Sequence, residues 1–168
     1  MKRGHTTQPA FTIIELLIVI IIIAILAAIT IVAFNGVQRR ANTSSAQSSA
    51  NSFAKKAHLY ATEQGSYPAV STTLTGAGAA GLSYYLTGVT VSGTAITTTA
   101  PATPSTHNYY RCGTAAAAAA TSLATVTVVT GAQIRYYDYT NSNFATVNVG
   151  GTSGNSSAGY NITCYLST

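Results

Sequence analysis

The sequence predicts an α+β chain: one long N-terminal helix, its first half suited to a membrane, packed in its second half on a C-terminal antiparallel sheet. Three observations lead there. The first is an unbroken apolar run from Phe11 to Phe34; the second is a helical apolar stripe from Ala46 to Ala61; the third is a change, from Gly65 on, to short β-rich runs separated by turn residues. The expected layout is a short leader at 1–10, a transmembrane or polymerisation helix at 11–34, an amphipathic continuation at 35–64 and a β-rich head at 65–168.

Phe11 to Phe34 would extend about 36 Å as a helix, at roughly 1.5 Å per residue, which exceeds a hydrocarbon core of about 30 Å. Lys2 and Arg3 precede this run, so the positive-inside rule places residues 1–10 in the cytoplasm and the rest of the chain outside. The leader MKRGHTTQPA has its polar part before the apolar core, the reverse of a secretory signal that is cut after its core. A cut between Ala10 and Phe11 would keep the apolar segment on the mature chain, with a free amine four residues before Glu15. Glu15 is the one charge inside the run, and an unpaired carboxylate at bilayer depth is costly.

Beyond the apolar run, Ala46, Ala50, Phe53, Ala57, Tyr60 and Ala61 recur at spacings of three and four, with Ser, Asn, Gln and Lys on the other face. Gly65 suits the left-handed residue that ends a helix, and Pro68 prevents an early restart. One helix from about 11 to 64 follows. Strand candidates are 89–91, 108–112, 124–130, 133–139, 144–149 and 160–166, with a hairpin expected at Gly131 and Ala132. In the last run, Tyr160, Ile162, Cys164 and Leu166 alternate, which directs Cys164 toward a core. Residues 94–106 read as an exposed Pro/Thr loop, and the alanine run at 115–120 as a loop or short helix.

Charged residues make up 7% of the chain, while 27 Thr and 16 Ser supply most of its polarity. Without the leader, six cationic side chains face three acidic ones, a balance too small for an electrostatic nucleic-acid arm. Cys112 and Cys164 lie outside any CxxC or Cys/His cluster, and in an oxidising compartment they are expected to form a disulfide. His5, His58 and His107 are scattered, so no metal site or cofactor is expected. Glu63 and Asp138 are too far apart in sequence to argue for paired-carboxylate catalysis or a calcium loop, and no nucleophile motif stands out. The chain reads as a structural protein and not as an enzyme. Tyr109, Tyr110 and Arg111 with Arg135, Tyr136 and Tyr137 interleave rings and cations in a way that could stack single-stranded DNA, against the simpler reading of strand alternation. Asn42, Asn155 and Asn161 begin Asn-x-Ser/Thr triplets and are taken as surface positions.

The basic leader followed by FTIIELLIVIIIIAILAAI, with a glutamate fifth from the cut, resembles the N-terminal signature of type IV pilins and type II secretion pseudopilins. GSYP at 65–68 is similar to the segment that closes the first helix in many of them. The resemblance implies cleavage after Ala10 by a prepilin peptidase, methylation of the Phe11 amine, and extraction from membrane lipid by an assembly platform into a polymer of identical subunits. It implies that Glu15 meets the N-terminal amine of a neighbouring copy, and that the fibre serves adhesion, motility or DNA uptake. The alternatives are a pseudopilin of a secretion or competence machine and a singly anchored surface binding protein that does not polymerise. The leader ends in Ala10 where the family usually has Gly. Ala24 and Val32 replace residues that are often Gly and Pro, which predicts a more continuous helix with its weakest point at Asn35 and Gly36.

Overall fold

In the computed structural model, residues 11–114, 128–152 and 162–167 are described. Residues 1–10, the alanine run at 115–120, and Asn155 and Asn161 lie outside them. Contacts divide the chain into two compact units, one ending at Gln38 and one beginning at Arg39.

A single helix, α1, runs from Ile13 to Gln64 and passes through both units. It continues without a break through Ala24, Val32, Asn35 and Gly36, so in the single chain the Asn35–Gly36 pair does not interrupt it. Its end is where the sequence puts it: Gly65 takes φ 77° and its N–H donates to the Ala61 carbonyl at 2.9 Å. That is a left-handed C-terminal cap, which a side chain with a Cβ would disfavour.

In the first unit α1 is apolar all round. Its large hydrophobic side chains from Phe11 to Val37 are 47 to 81% exposed, and the helix is long and apolar enough to cross a membrane. A helix of that kind must be covered by lipid or by other apolar helices.

In the second unit the predicted stripe is the buried one. Ala46, Ala50, Phe53, Ala54 and Ala57 are buried, with Tyr60 packed beside them. Four of these five are alanines. Phe53 supplies the bulk, stacking on Tyr109 with ring centroids 5.5 Å apart. After Gly65 come a one-turn helix α2 (Thr72–Thr75) and a 3₁₀ turn (Ala77–Ala79). Leu74, Ala79, Tyr84 and Leu86 from this stretch complete the same core.

Among the described residues the sheet has five strands: β1 (Thr90–Val91), β2 (Thr106–Thr114), β3 (Val128–Asp138), β4 (Asn143–Gly150) and β5 (Ile162–Ser167). The order is β1-β2-β3-β4, with β5 also paired to β2. The β2–β3, β3–β4 and β2–β5 pairs are antiparallel, but β1 and β2 are parallel, Thr90 opposite Thr106 and Val91 opposite His107. The sheet is therefore mixed and not purely antiparallel, because residues 92–105 form a crossover that a short hairpin could not supply.

Two further differences from the sequence reading have local causes. No hairpin forms at Gly131 and Ala132; β3 runs straight through them. Gly131 marks a close approach instead, since a Cβ there would meet the Gly151 carbonyl oxygen at 2.5 Å and that of Val149 at 2.6 Å. The hairpin lies at residues 139–142, where Asp138 Oδ1 accepts from the N–H groups of Thr140 and Asn141 at 2.8 and 3.2 Å.

Strand alternation puts Tyr109, Ala132, Ile134, Tyr136, Val147 and Val149 against α1. Tyr110 and Cys112 then face the other way. Cys112 and Cys164 sit directly opposite each other in the β2–β5 register and are joined by a disulfide. Cys112 is buried, yet the core it faces is not the one under α1. Residues 94–101 cross this outer face, so the Pro/Thr segment is irregular, as expected, but partly buried. Ile96 is 5% exposed and its N–H donates to the buried Asn108, while Tyr137 donates to the Thr98 carbonyl and Tyr139 to that of Pro101.

Candidate functional site

The segment that carries the processing and assembly candidates opens α1. Ala10 lies outside the described residues, and Phe11 is 81% exposed. Thr12 is the residue before the first helical position, and Glu15 is three residues on. The Thr12 N–H donates to Glu15 Oε2 at 2.9 Å, the Thr12 hydroxyl donates to the same oxygen at 2.8 Å, and the Glu15 N–H reaches Thr12 Oγ1 at 3.4 Å. This reciprocal arrangement is a capping box, which satisfies donors that a helix start leaves without intrahelical partners.

The box changes how the lone carboxylate is understood. Glu15 Oε2 is occupied from within its own chain, and Oε1 has no partner among the described residues. The single chain thus shields half of the carboxylate and leaves the other half able to accept a charge-assisted hydrogen bond from a cation. Thr12 joins Glu15 in this arrangement. Its signal was present as Thr-x-x-Glu ahead of an apolar run.

The structure does not gather the remaining candidates into a reactive centre. His107 is fully buried with Nε2 2.7 Å from Ser49 Oγ, whereas His58 bonds Tyr67 through Nδ1 at 2.9 Å. Burial holds the His107 imidazole well below its usual range, at about 4. Glu63 accepts from Ser83. Asp138 accepts from Thr43 of α1 at 3.1 Å as well as from Thr140 and Asn141. Burial opposes ionisation of Asp138, but the hydrogen bonds from Asn141, Thr140 and Thr43 outweigh it and lower its pKa. Among the described residues no group of three or more His, Cys, Asp or Glu could hold a metal ion.

The proposed ring-and-cation cluster is divided by strand alternation. Tyr109, Arg111 and Tyr136 lie on the face toward α1, and Tyr110, Arg135 and Tyr137 on the outer face. A continuous stacking surface for single-stranded DNA does not form from these six residues. On the inner face Tyr109 donates to the Pro68 carbonyl at 2.7 Å, and burial raises its pKa.

Compared with known proteins, residues 6–31 match the family model of the prokaryotic N-terminal methylation motif. That motif is the signature of type IV pilins and pseudopilins. No curated protein and no solved structure matches the chain.

Proposed function

We propose that the chain, a precursor bearing the type IV pilin and pseudopilin signature at residues 6–31, is a structural subunit of a type IV pilus-like filament. A prepilin peptidase cuts between Ala10 and Phe11 and methylates the new amine. The helix then waits in membrane lipid with the head outside, until an assembly platform moves it into a polymer of its own copies. The observation that carries this reading is the start of α1: an all-round apolar helix, 47 to 81% exposed at its large side chains, holding a carboxylate with one oxygen capped by Thr12 and one open.

The open Oε1 accepts the Phe11 amine of a neighbouring copy. In a dry bundle two such opposite charges attract strongly, while either alone is costly, so the pair favours one axial register over others. The head presents a Thr/Ser-rich surface and serves adhesion, motility or DNA uptake.

The test is Glu15→Gln, which keeps size and hydrogen bonding but removes the charge, with sheared surface material examined by electron microscopy and N-terminal sequencing. Wild type should yield fibres whose main band begins at methylated Phe11, and the variant should leave processed monomer in the membrane without fibres. Fibres of normal length and abundance from the variant would overturn the reading.

A further inference from the structure

The outer face of the sheet holds a cation with no acidic partner among the described residues. The Arg135 guanidinium lies between two rings, 4.0 Å from the Phe144 centroid and 4.6 Å from that of Tyr110. Its Nη1 donates to the Ile96 carbonyl at 3.4 Å, and its Nε is buried without a partner. Nη2 has no partner among the described residues and is not buried. The sequence has three acidic side chains, and all are engaged elsewhere: Glu15 by Thr12, Glu63 by Ser83, Asp138 by Thr43 and its own turn. The rings and the Ile96 carbonyl hold this guanidinium in place and partly dry, which strengthens its attraction for an anion from outside.

The surroundings narrow the class of anion. Three successive rungs of the β3–β4 ladder share this face: Tyr137 opposite Phe144, Arg135 opposite Thr146, and Gln133 opposite Asn148. They extend over about 14 Å of strand, at roughly 3.4 Å per residue. At one end the Phe144 ring is 39% exposed. At the other, Gln133 Nε2 donates to Asn148 Oδ1 at 3.1 Å, which fixes both amides and leaves Gln133 Oε1 and Asn148 Nδ2 to meet hydroxyls. Thr146 and Asn148 are exposed.

From this we infer that the outer face of β3 and β4 is a binding site for an acidic saccharide, a uronate-containing oligosaccharide whose carboxylate pairs with Arg135, whose ring lies on Phe144, and whose hydroxyls meet Gln133, Thr146 and Asn148. A sugar ring has an apolar C–H face, an equatorial rim of hydroxyls and, in a uronate, one carboxylate, and each of these has a counterpart on the three rungs. Nucleic acid fits less well. It needs several cations along a phosphate track, whereas Arg111, the neighbouring cation in the sheet, faces α1. The site stands whether or not the chain polymerises.

The test uses the full chain in detergent micelles, titrated by calorimetry with trimers of galacturonate, glucuronate, mannuronate and guluronate, and with their methyl esters. At least one acid should bind, its ester at least tenfold more weakly. Arg135→Lys, which keeps the charge but loses the planar fork, and Phe144→Ala should each weaken binding about tenfold. Near-ultraviolet circular dichroism confirms that the tyrosine packing of each variant is intact, and Asn148→Ala, a milder change at an exposed position, should give a smaller loss. No binding by any acid at millimolar concentration would overturn the site. So would equal binding of acid and ester, unaltered affinity in folded Arg135→Lys, or tighter binding of a ten-nucleotide poly-dT or a triglutamate peptide than of every uronate.

Discussion

Acidifying the protein from neutral pH toward 4 should weaken its head through His107. The Ser49 hydroxyl donates to the Ala46 carbonyl at 3.1 Å, so its oxygen is left to accept, and His107 Nε2, 2.7 Å away, carries the proton. Nδ1 is then a buried lone pair with no donor near it. Protonation would place a second N–H and a full charge at a position without an acceptor, which is why burial lowers the pKa from 6.5 to about 4. Between those two values the unfolded chain binds a proton that the folded chain does not, so stability is full above pH 6.5 and falls as the pH drops toward 4. Below about 4 both states are protonated at this residue and its contribution levels off. The loss over the window is about 3 kcal/mol, at roughly 1.4 kcal/mol per pH unit.

Urea unfolding of the full chain in detergent micelles, followed by circular dichroism from pH 7.5 to 4, reads this loss. For a head of this size it corresponds to a fall of about 1 to 3 M in the midpoint. The comparison is His107→Leu, which removes the titrating group and leaves Ser49 bonded to Ala46. Its midpoint should change by less than a third of the wild-type shift over the same range. An equal slope in the variant, or a His107 ring resonance that titrates near 6.5 in the folded protein, would refute the reasoning.

Three other perturbations follow from the same contacts. Phe53→Ala removes the bulky, fully buried ring from a helix face otherwise buried through alanines and should cost about 3 to 5 kcal/mol, read as a loss of thermal and urea stability. Replacing Cys112 and Cys164 together by Ser opens a link across a sequence separation of 52, which by loop-closure entropy should cost roughly 4 kcal/mol; unchanged stability would show that the disulfide contributes nothing to the head. Asp138→Asn should loosen the 139–142 turn and its tie to Thr43 by about 0.5 to 1 kcal/mol after solvent screening, with faster amide exchange at Thr140 and Asn141. Since hydrogen bonding lowers the Asp138 pKa, that tie is at full strength above its unfolded value and is lost as pH falls through the lowered one.

The helix was legible because its signals are local. An apolar run, a three-and-four stripe and a glycine with positive φ each act within a few turns, and all three recur in the structure. Strand existence was also legible at 108–112 and 144–149, where β-formers lie between turn residues. Gly131 misled because glycine has two uses, to turn a chain and to admit a neighbouring backbone, and only the position of the 149–151 segment distinguishes them. The Thr12–Glu15 box is also local, carried by the Thr-x-x-Glu spacing ahead of the apolar run.

From its sequence alone, this protein is marked as carrying an apolar helix with one acid near its start, an N-terminal methylation motif at residues 6–31 and a β-rich remainder, since these depend on neighbours a few residues apart. Tertiary structure alone decided that β1 runs parallel to β2, that the tyrosines and arginines divide between two faces, that His107 meets Ser49, and that Arg135 lies between two rings with no acidic partner among the described residues. Each of those joins residues from different strands or from helix and sheet. Their pairing depends on register and crossover, which no spacing along the chain records.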